Sequence, residues 1–226
     1  MGEYSGDELP CLHRMTRAVF LDALGTLVEL EPPWVFLRER VPEVSEERLV
    51  SAVRAEMEYY KQHAHEGRDP ESLADLRRRC AEFLSRELGA TVTAEELVDA
   101  VRLAPYPDAA PALRALRKRG LPVVVVSNWD CSLGTVLERC GLSELIDGAV
   151  SSAEAGARKP DPAIFGPALE LAGVEASEAL HVGDTLEEDV AGARAAGIRV
   201  LLIDRDGGDG DGDGEISSLT EIDEHL

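Results

Sequence analysis

Val19-Phe20-Leu21-Asp22-Ala23-Leu24-Gly25-Thr26-Leu27 decides how the rest of the chain is read. An apolar run stops at Asp22 and a glycine-containing turn follows at once. That pattern reads as a buried strand carrying a carboxylate at its C-terminal end. In an open parallel sheet, ligands bind outside the carboxyl ends of the strands. The same residues also fit an aspartate that simply opens a turn, so the residues downstream must choose.

From Pro105 onward the chain alternates. A helix over 108–119 ends in Lys118-Arg119-Gly120, with cations in the last turn and glycine just past it. Val123-Val124-Val125-Val126 runs into Ser127-Asn128, and four successive β-branched residues suit a strand covered on both faces. A helix over 132–140 and a weak strand near Ala149-Val150 come next, then a helix from Asp161-Pro162 to Ala172. Leu180-His181-Val182 runs into Gly183-Asp184 and a helix that Gly197 stops. Val200-Leu201-Leu202-Ile203 reads as the last strand, ending at Asp204. Alternating strands and helices imply an α/β fold: a Rossmann-like parallel sheet with helices on both faces and right-handed crossovers.

Residues 31–104 interrupt this rhythm with helical periodicity and no strand. Ser45 is the N-cap of a helix to about His63, with Leu49, Val53, Met57 and Tyr60 on one face. Asp69-Pro70 starts another, striped by Leu73, Leu76, Cys80, Phe83 and Leu84, and Thr93-Ala94-Glu95-Glu96 fits a capping box. The expected organisation is a flexible leader over 1–16, a core from 17–30 and 105–226, and an inserted all-α cap over 31–104, with hinges near 28–32 and 103–107.

Composition narrows the partners. The net charge of -21 over 226 residues argues against nucleic-acid and anionic-membrane surfaces. No apolar run approaches a membrane span, and Glu3, Asp7 and Glu8 do not fit a signal peptide. A cytoplasmic protein, monomeric or homodimeric, is expected. Cys11, Cys80, Cys131 and Cys140 lack metal-site spacing and read as reduced thiols. Asp209, Asp211, Asp213 and Gly214 fit the opening of a calcium loop, but Thr220 stands where the closing Glu is needed. The 206–214 segment therefore reads as a flexible acidic loop.

Three expected strands end in Asp22, Ser127-Asn128 and Asp184, and a parallel sheet would bring these groups to one edge. Asp189 follows in the first turn of the next helix. Asp22, Asp184 and Asp189 would form an oxygen-rich site for a hard cation such as Mg²⁺, because three close carboxylates repel unless a cation or a proton joins them. Lys159, one of only three lysines, could neutralise a nucleophile and a transferring group there. His181 reads as a core residue, and Arg77-Arg78-Arg79 as a solvated face with salt bridges.

On these motifs the chain resembles the haloacid dehalogenase-like hydrolase superfamily. Asp22-Ala23-Leu24-Gly25-Thr26-Leu27, Ser127, Lys159-Pro160 and Gly183-Asp184-Thr185-Leu186-Glu187-Glu188-Asp189 are similar to its four motifs, in order. A helical insertion after the first motif resembles the branch with a helical-bundle cap. The resemblance implies a hydrolase that cleaves a small phosphorylated metabolite. Asp22 would attack phosphorus and form an aspartyl-phosphate that water hydrolyses. Mg²⁺ would be held by Asp22, Asp184, the Leu24 carbonyl and, directly or through water, Asp189. Ser127 and Lys159 would be catalytic, with Thr26 and Asn128 binding substrate.

One position departs from the pattern. Family phosphatases carry an acid two residues after the nucleophile; Leu24 stands there and cannot donate a proton. A positioned acid is typically worth about 10²–10⁴ in rate. A magnesium-dependent phosphatase of reduced or selective activity is expected, one that either favours good leaving groups such as acyl or aryl phosphates or borrows an acid from the cap or from Asp130. The alternatives are a haloacid dehalogenase, a phosphonatase using Lys61 as a Schiff base, or a non-catalytic phosphate- or partner-binding protein. Retention of Asp184 and Asp189 weighs against the dehalogenase.

Overall fold

The computed structural model describes residues 15–205 and 214–226. Most of the leader (1–14, with Cys11) and the Asp/Gly segment 206–213 lie outside these residues. Strand β1 (Ala18–Leu21) is buried along its whole length. It leads through the turn at 22–27 into a short strand β2 (Val28–Glu31). Helices α1 (Pro33–Leu37), α2 (Glu46–His63), α3 (Pro70–Leu88) and α4 (Ala94–Ala100) follow before strand β3 (Arg102–Pro105). The core resumes with α5 (Ala109–Lys118), β4 (Val123–Ser127), α6 (Leu133–Arg139), β5 (Gly148–Ser151) and α7 (Ser152–Ala155). Helix α8 (Phe165–Ala172), β6 (Ala179–Gly183), α9 (Ala191–Ala195), β7 (Arg199–Ile203) and β8 (Glu215–Ile216) complete it.

Among the described residues the main sheet has the order β5-β4-β1-β6-β7-β8 with every pairing parallel. Strand β1 lies between β4 and β6, in register from Val19 opposite Val123 and Leu180. The four valines of β4 are fully buried, as expected of a strand covered on both faces. One apolar cluster, with Val19, Leu21, Val123 and Val125, packs on one face together with Leu113 and Leu116 of α5. The other, with Phe20, Val124 and Val126, packs on Phe165 and Ala168 of α8. Alternate residues of one strand thus feed two cores, which is the period-2 geometry of a sheet between helix layers.

The helices over 33–100 hold a third apolar cluster of their own, built from Leu49, Val53, Leu73, Leu76, Cys80 and Leu84. Their termini carry the expected devices. Ser45 accepts from the Arg48 amide, and Asp69 and Thr93 each complete a capping box. Arg78 pairs with Asp75 and Glu82, and Arg79 with Asp75 and Glu66, so this stretch is an ion-paired surface.

Two sequence expectations are corrected. Residues 31–104 are not strand-free: β3 pairs antiparallel with β2, Glu31 opposite Arg102 and Val28 opposite Pro105. The two crossings expected to be hinges are thus hydrogen-bonded to each other. Arg102-Leu103-Ala104-Pro105 has little β-propensity of its own, and its partner lies far away in sequence. Nor is 200–203 the last strand, since β8 adds in parallel at Leu202–Glu215 and Ile203–Ile216. Behind it, Leu219 and Ile222 bury their side chains against α5 in a closing 3₁₀ segment.

Candidate active site

Because β1, β4 and β6 are parallel neighbours, their C-terminal ends meet at one edge, and the groups just past them meet with them. Asp22 leaves β1 with its amide donating to the Val182 carbonyl of β6 at 2.9 Å. The residue is 6% exposed. Ser127 ends β4, and its hydroxyl helps hold the Asp22 carboxylate ionised. Asp184 follows β6 directly and faces solvent. Asp189 sits in a single π-helical turn over Leu186–Val190, which turns its carboxylate inward. Such turns are frequent at functional sites.

Lys159 reaches this edge from the loop between α7 and α8 and is 1% exposed. Its Nζ donates to Asp22 Oδ1 at 2.5 Å and to Asp189 Oδ1 at 2.6 Å. His181, buried in β6, also meets Asp189 Oδ1 through Nε2 at 2.8 Å, while its Nδ1 has no partner among the described residues. Asp189 Oδ2 accepts from the Thr185 hydroxyl at 2.6 Å and the Thr185 amide at 3.2 Å. Oxygens of Asp22, Asp184 and Asp189 all lie within 4.8 Å of one another.

The charges push against each other in a definite order. Burial raises the Asp22 carboxyl above its usual range, with Lys159 opposing and Asp189 adding to the rise. Although the residue faces solvent, partial desolvation of its carboxyl against the site, with Asp22 and Asp189 nearby, pushes Asp184 up to about 6. Burial also works against ionised Asp189, but Lys159 and His181 outweigh it and hold this carboxyl well below the ordinary range. Desolvation would strip the proton from Lys159; Asp22 and Asp189 reverse that and keep it an ammonium. The donor set that remains open is all oxygen, which suits a hard divalent cation.

Two glycines make the cradle possible. Gly25 has φ +83°, and a Cβ there would lie 2.1 Å from Asp184 Oδ2. A Cβ on Gly183 would lie 2.1 Å from Asp189 Cγ. Only glycine lets backbone and carboxylate approach so closely.

The structure therefore brings Asp22, Ser127, Lys159, Asp184 and Asp189 together. Leu24 sits in the turn that follows Asp22, its side chain packed on the main core and its backbone bridged to Val28. Thr26 is fully buried with Oγ1 unpartnered among the described residues. Asn128 is committed elsewhere: Oδ1 accepts from the Lys159 amide at 2.8 Å, and Nδ2 donates to the Lys159 carbonyl and to Glu188. Glu188 in turn pairs with Arg158. Asp130 is buried, one oxygen taking the Tyr60 hydroxyl at 2.8 Å and the other the Ser132 amide, so it does not stand free as a proton donor. Lys61 is exposed in the last turn of α2.

Sequence reasoning missed two contributors. His181 was legible only as a core residue; its ring alternates onto the face where Asp189 arrives. Arg205, beyond β7, carries no motif, yet it donates to the Gly25 carbonyl at 3.1 Å and the Thr26 carbonyl at 2.5 Å.

A model of the haloacid dehalogenase-like hydrolases matches residues 16–197. The haloacid dehalogenase-like hydrolase domain-containing protein 3 of Bos taurus is 48% identical over 91 residues, 40% of this chain and 36% of that protein. The chain spans about a third to just over half of the length of the curated relatives it matches, several of them phosphatases by name. Two solved structures are each 28% identical over 93% of this chain. One is a phosphatase from Thermococcus onnurineus, TM-score 0.65 with 98% of that chain covered. The other is a 2-haloacid dehalogenase from Pseudomonas syringae, TM-score 0.63 with 97% covered.

Proposed function

The chain belongs to the haloacid dehalogenase-like hydrolase family, and from that premise we propose a magnesium-dependent phosphatase that works through an aspartyl-phosphate on Asp22. The observation that carries this reading is the buried Asp22–Lys159–Asp189 array with Asp184 at its open side. A dehalogenating site needs no cation, whereas three converging carboxylates beside one lysine leave negative charge that a divalent cation would neutralise.

Asp22 is the nucleophile. Lys159 engages its Oδ1, and the other oxygen attacks phosphorus in line with the leaving group. The Asp22–phosphorus bond forms as the phosphorus–leaving-group bond breaks, and the leaving group departs with the bonding pair as an anion that solvent protonates. Water then attacks phosphorus, releases phosphate and restores the carboxylate. Magnesium, held by Asp22, Asp184 and the Leu24 carbonyl, with Asp189 through water, would neutralise charge on the phosphoryl oxygens. Both Asp189 oxygens are already hydrogen-bonded, which favours the water-mediated contact. Ser127 and Lys159 orient the phosphoryl group. Asn128 serves by pinning the Lys159 backbone, and Thr26 by filling the turn after Asp22.

Leu24 offers no proton, so acyl and aryl phosphates, whose leaving groups depart unaided, are the favoured substrates. The helical segment over 31–104 acts as the cap that selects among small phosphorylated metabolites. The second reading, haloacid dehalogenation, draws on Leu24 and on the likeness to the Pseudomonas enzyme. A magnesium-supplemented screen decides between them, run on wild type and Asp22→Asn. Phosphate release from acyl or aryl phosphates, abolished by the substitution, is expected. Halide release from 2-haloacids without phosphate release would overturn the proposal.

A further inference from the structure

We propose that Arg205 is a positioning residue for this site, fixing the 24–27 turn against Asp184 and tying together the two crossings to the helical segment. Its three guanidinium nitrogens are all engaged. Nε donates to the Gly25 carbonyl at 3.1 Å, Nη2 to the Thr26 carbonyl at 2.5 Å and Nη1 to Asp108 Oδ2 at 3.2 Å. The guanidinium carbon lies 3.6 Å from the centroid of the Tyr106 ring. Asp108 Oδ2 also takes the Ser218 hydroxyl at 2.9 Å and the Leu219 amide at 2.8 Å.

One side chain thus joins four segments: the outgoing turn at 25–26, the returning chain at 106–108, the end of β7 and, through Asp108, the closing segment. The two crossings are also bonded directly, Tyr106 amide to Leu27 carbonyl at 3.0 Å. A planar fork with fixed donors matches this task, and a lysine offers a single point charge instead. The inner side of the turn has no slack, because Gly25 lies against Asp184 with no room for a methyl group. Its outer side is held by Arg205. Asp22 lies three residues before Gly25, so displacement of the turn reaches the reacting carboxylate and the Leu24 carbonyl together. The kinetic part of this inference rests on the phosphatase reading; the structural part does not.

Two measurements on Arg205→Ala and Arg205→Lys test it. The first is amide hydrogen exchange in chelator. The amides of Gly25, Leu27, Val28 and Tyr106 donate within this junction. Their exchange is expected to quicken by about tenfold or more in Arg205→Ala, while β4 and β6 stay protected. The second is turnover of an aryl phosphate. A fall in kcat of roughly 10–100-fold with little change in KM is expected, since an ångström of misplacement costs this much. Added guanidinium ion should restore part of the rate in Arg205→Ala and none in Arg205→Lys, whose ammonium fills the space. Unchanged exchange at the four amides, or exchange rising evenly across the sheet, overturns the proposal, as does normal kcat with the turn opened. If Arg205→Ala does not fold, Arg205→Lys decides on the same criteria. If the wild type releases no phosphate, the phosphatase reading fails and the exchange result alone judges Arg205.

Discussion

Replacing Lys159 with methionine removes a buried cation and little volume. Three carboxylates and one ammonium face each other in the wild type, and the substitution leaves the carboxylates without that ammonium. Lys159 is 1% exposed, so bulk water cannot take its place. Breaking a buried ion pair by removing one partner costs about 3–5 kcal/mol. For a chain of this size each kcal/mol lowers the thermal midpoint by about 2–4 °C, so a fall of roughly 6–20 °C is expected. Two things should relieve it. Protons do so because the carboxyls, freed from the lysine, take them up more readily in the native than in the unfolded state. An acid with a raised native pKa contributes stability at low pH and loses it as pH rises. The deficit should therefore be larger at pH 8 than at pH 5, straddling Asp184 at about 6. Millimolar magnesium should do the same if the three carboxylates bind it. Calorimetry of both proteins in chelator and in magnesium, at both pH values, measures this. A midpoint within about 2 °C of wild type at pH 8 in chelator would refute the idea that Lys159 is what holds the carboxylates together.

Four further outcomes are expected. Leu24→Asp should raise turnover of alkyl phosphates by up to about 10²–10⁴, measured as phosphate release; no gain would show that a proton donor is not what limits the enzyme. Gly183→Ala forces a Cβ to 2.1 Å from Asp189 Cγ, and should cost about 1–3 kcal/mol in denaturant unfolding, with activity lost well before the fold. Tyr60→Phe leaves Asp130 Oδ2 without the 2.8 Å hydroxyl, costing about 1–3 kcal/mol by the same assay. Glu56 is buried within α2, and burial raises its carboxyl despite a hydrogen bond from Cys80. Its ionisation therefore weakens the fold as pH rises above the unfolded value. Glu56→Gln should raise the thermal midpoint at pH 8 more than at pH 5, and an equal change at both pH values would count against this.

Much of the fold could be read from local pattern, because its strands announce themselves. Val123–Val126 can only be a doubly covered strand, and the apolar run ending at Asp22 has one place to go in a parallel sheet. The caps at Ser45, Asp69 and Thr93 were visible for the same reason: each acts within four residues of itself. Strands β3 and β8 were not visible, since neither has propensity to declare and each exists through a partner distant in sequence.

The site divides in the same way. Which residue types stand at the strand ends, and hence that Asp22, Ser127 and Asp184 share one edge with Asp189 just beyond, follows from sequence periodicity and the geometry of parallel sheets; Lys159, on a loop, was tied to that edge only by the family resemblance. What each side chain does with its hydrogen bonds does not follow. Asn128 looked free for a ligand and is spent on the Lys159 backbone. Asp130 looked like a spare acid and is tied to Tyr60. His181 looked like packing and touches Asp189, while Arg205 had no pattern at all and bonds to the turn that follows Asp22. Strand order and side-chain alternation are short-range and periodic, so they are written along the chain. Hydrogen-bond partnership is settled by distances of about 3 Å between groups far apart in sequence, and only the folded chain brings those groups within reach.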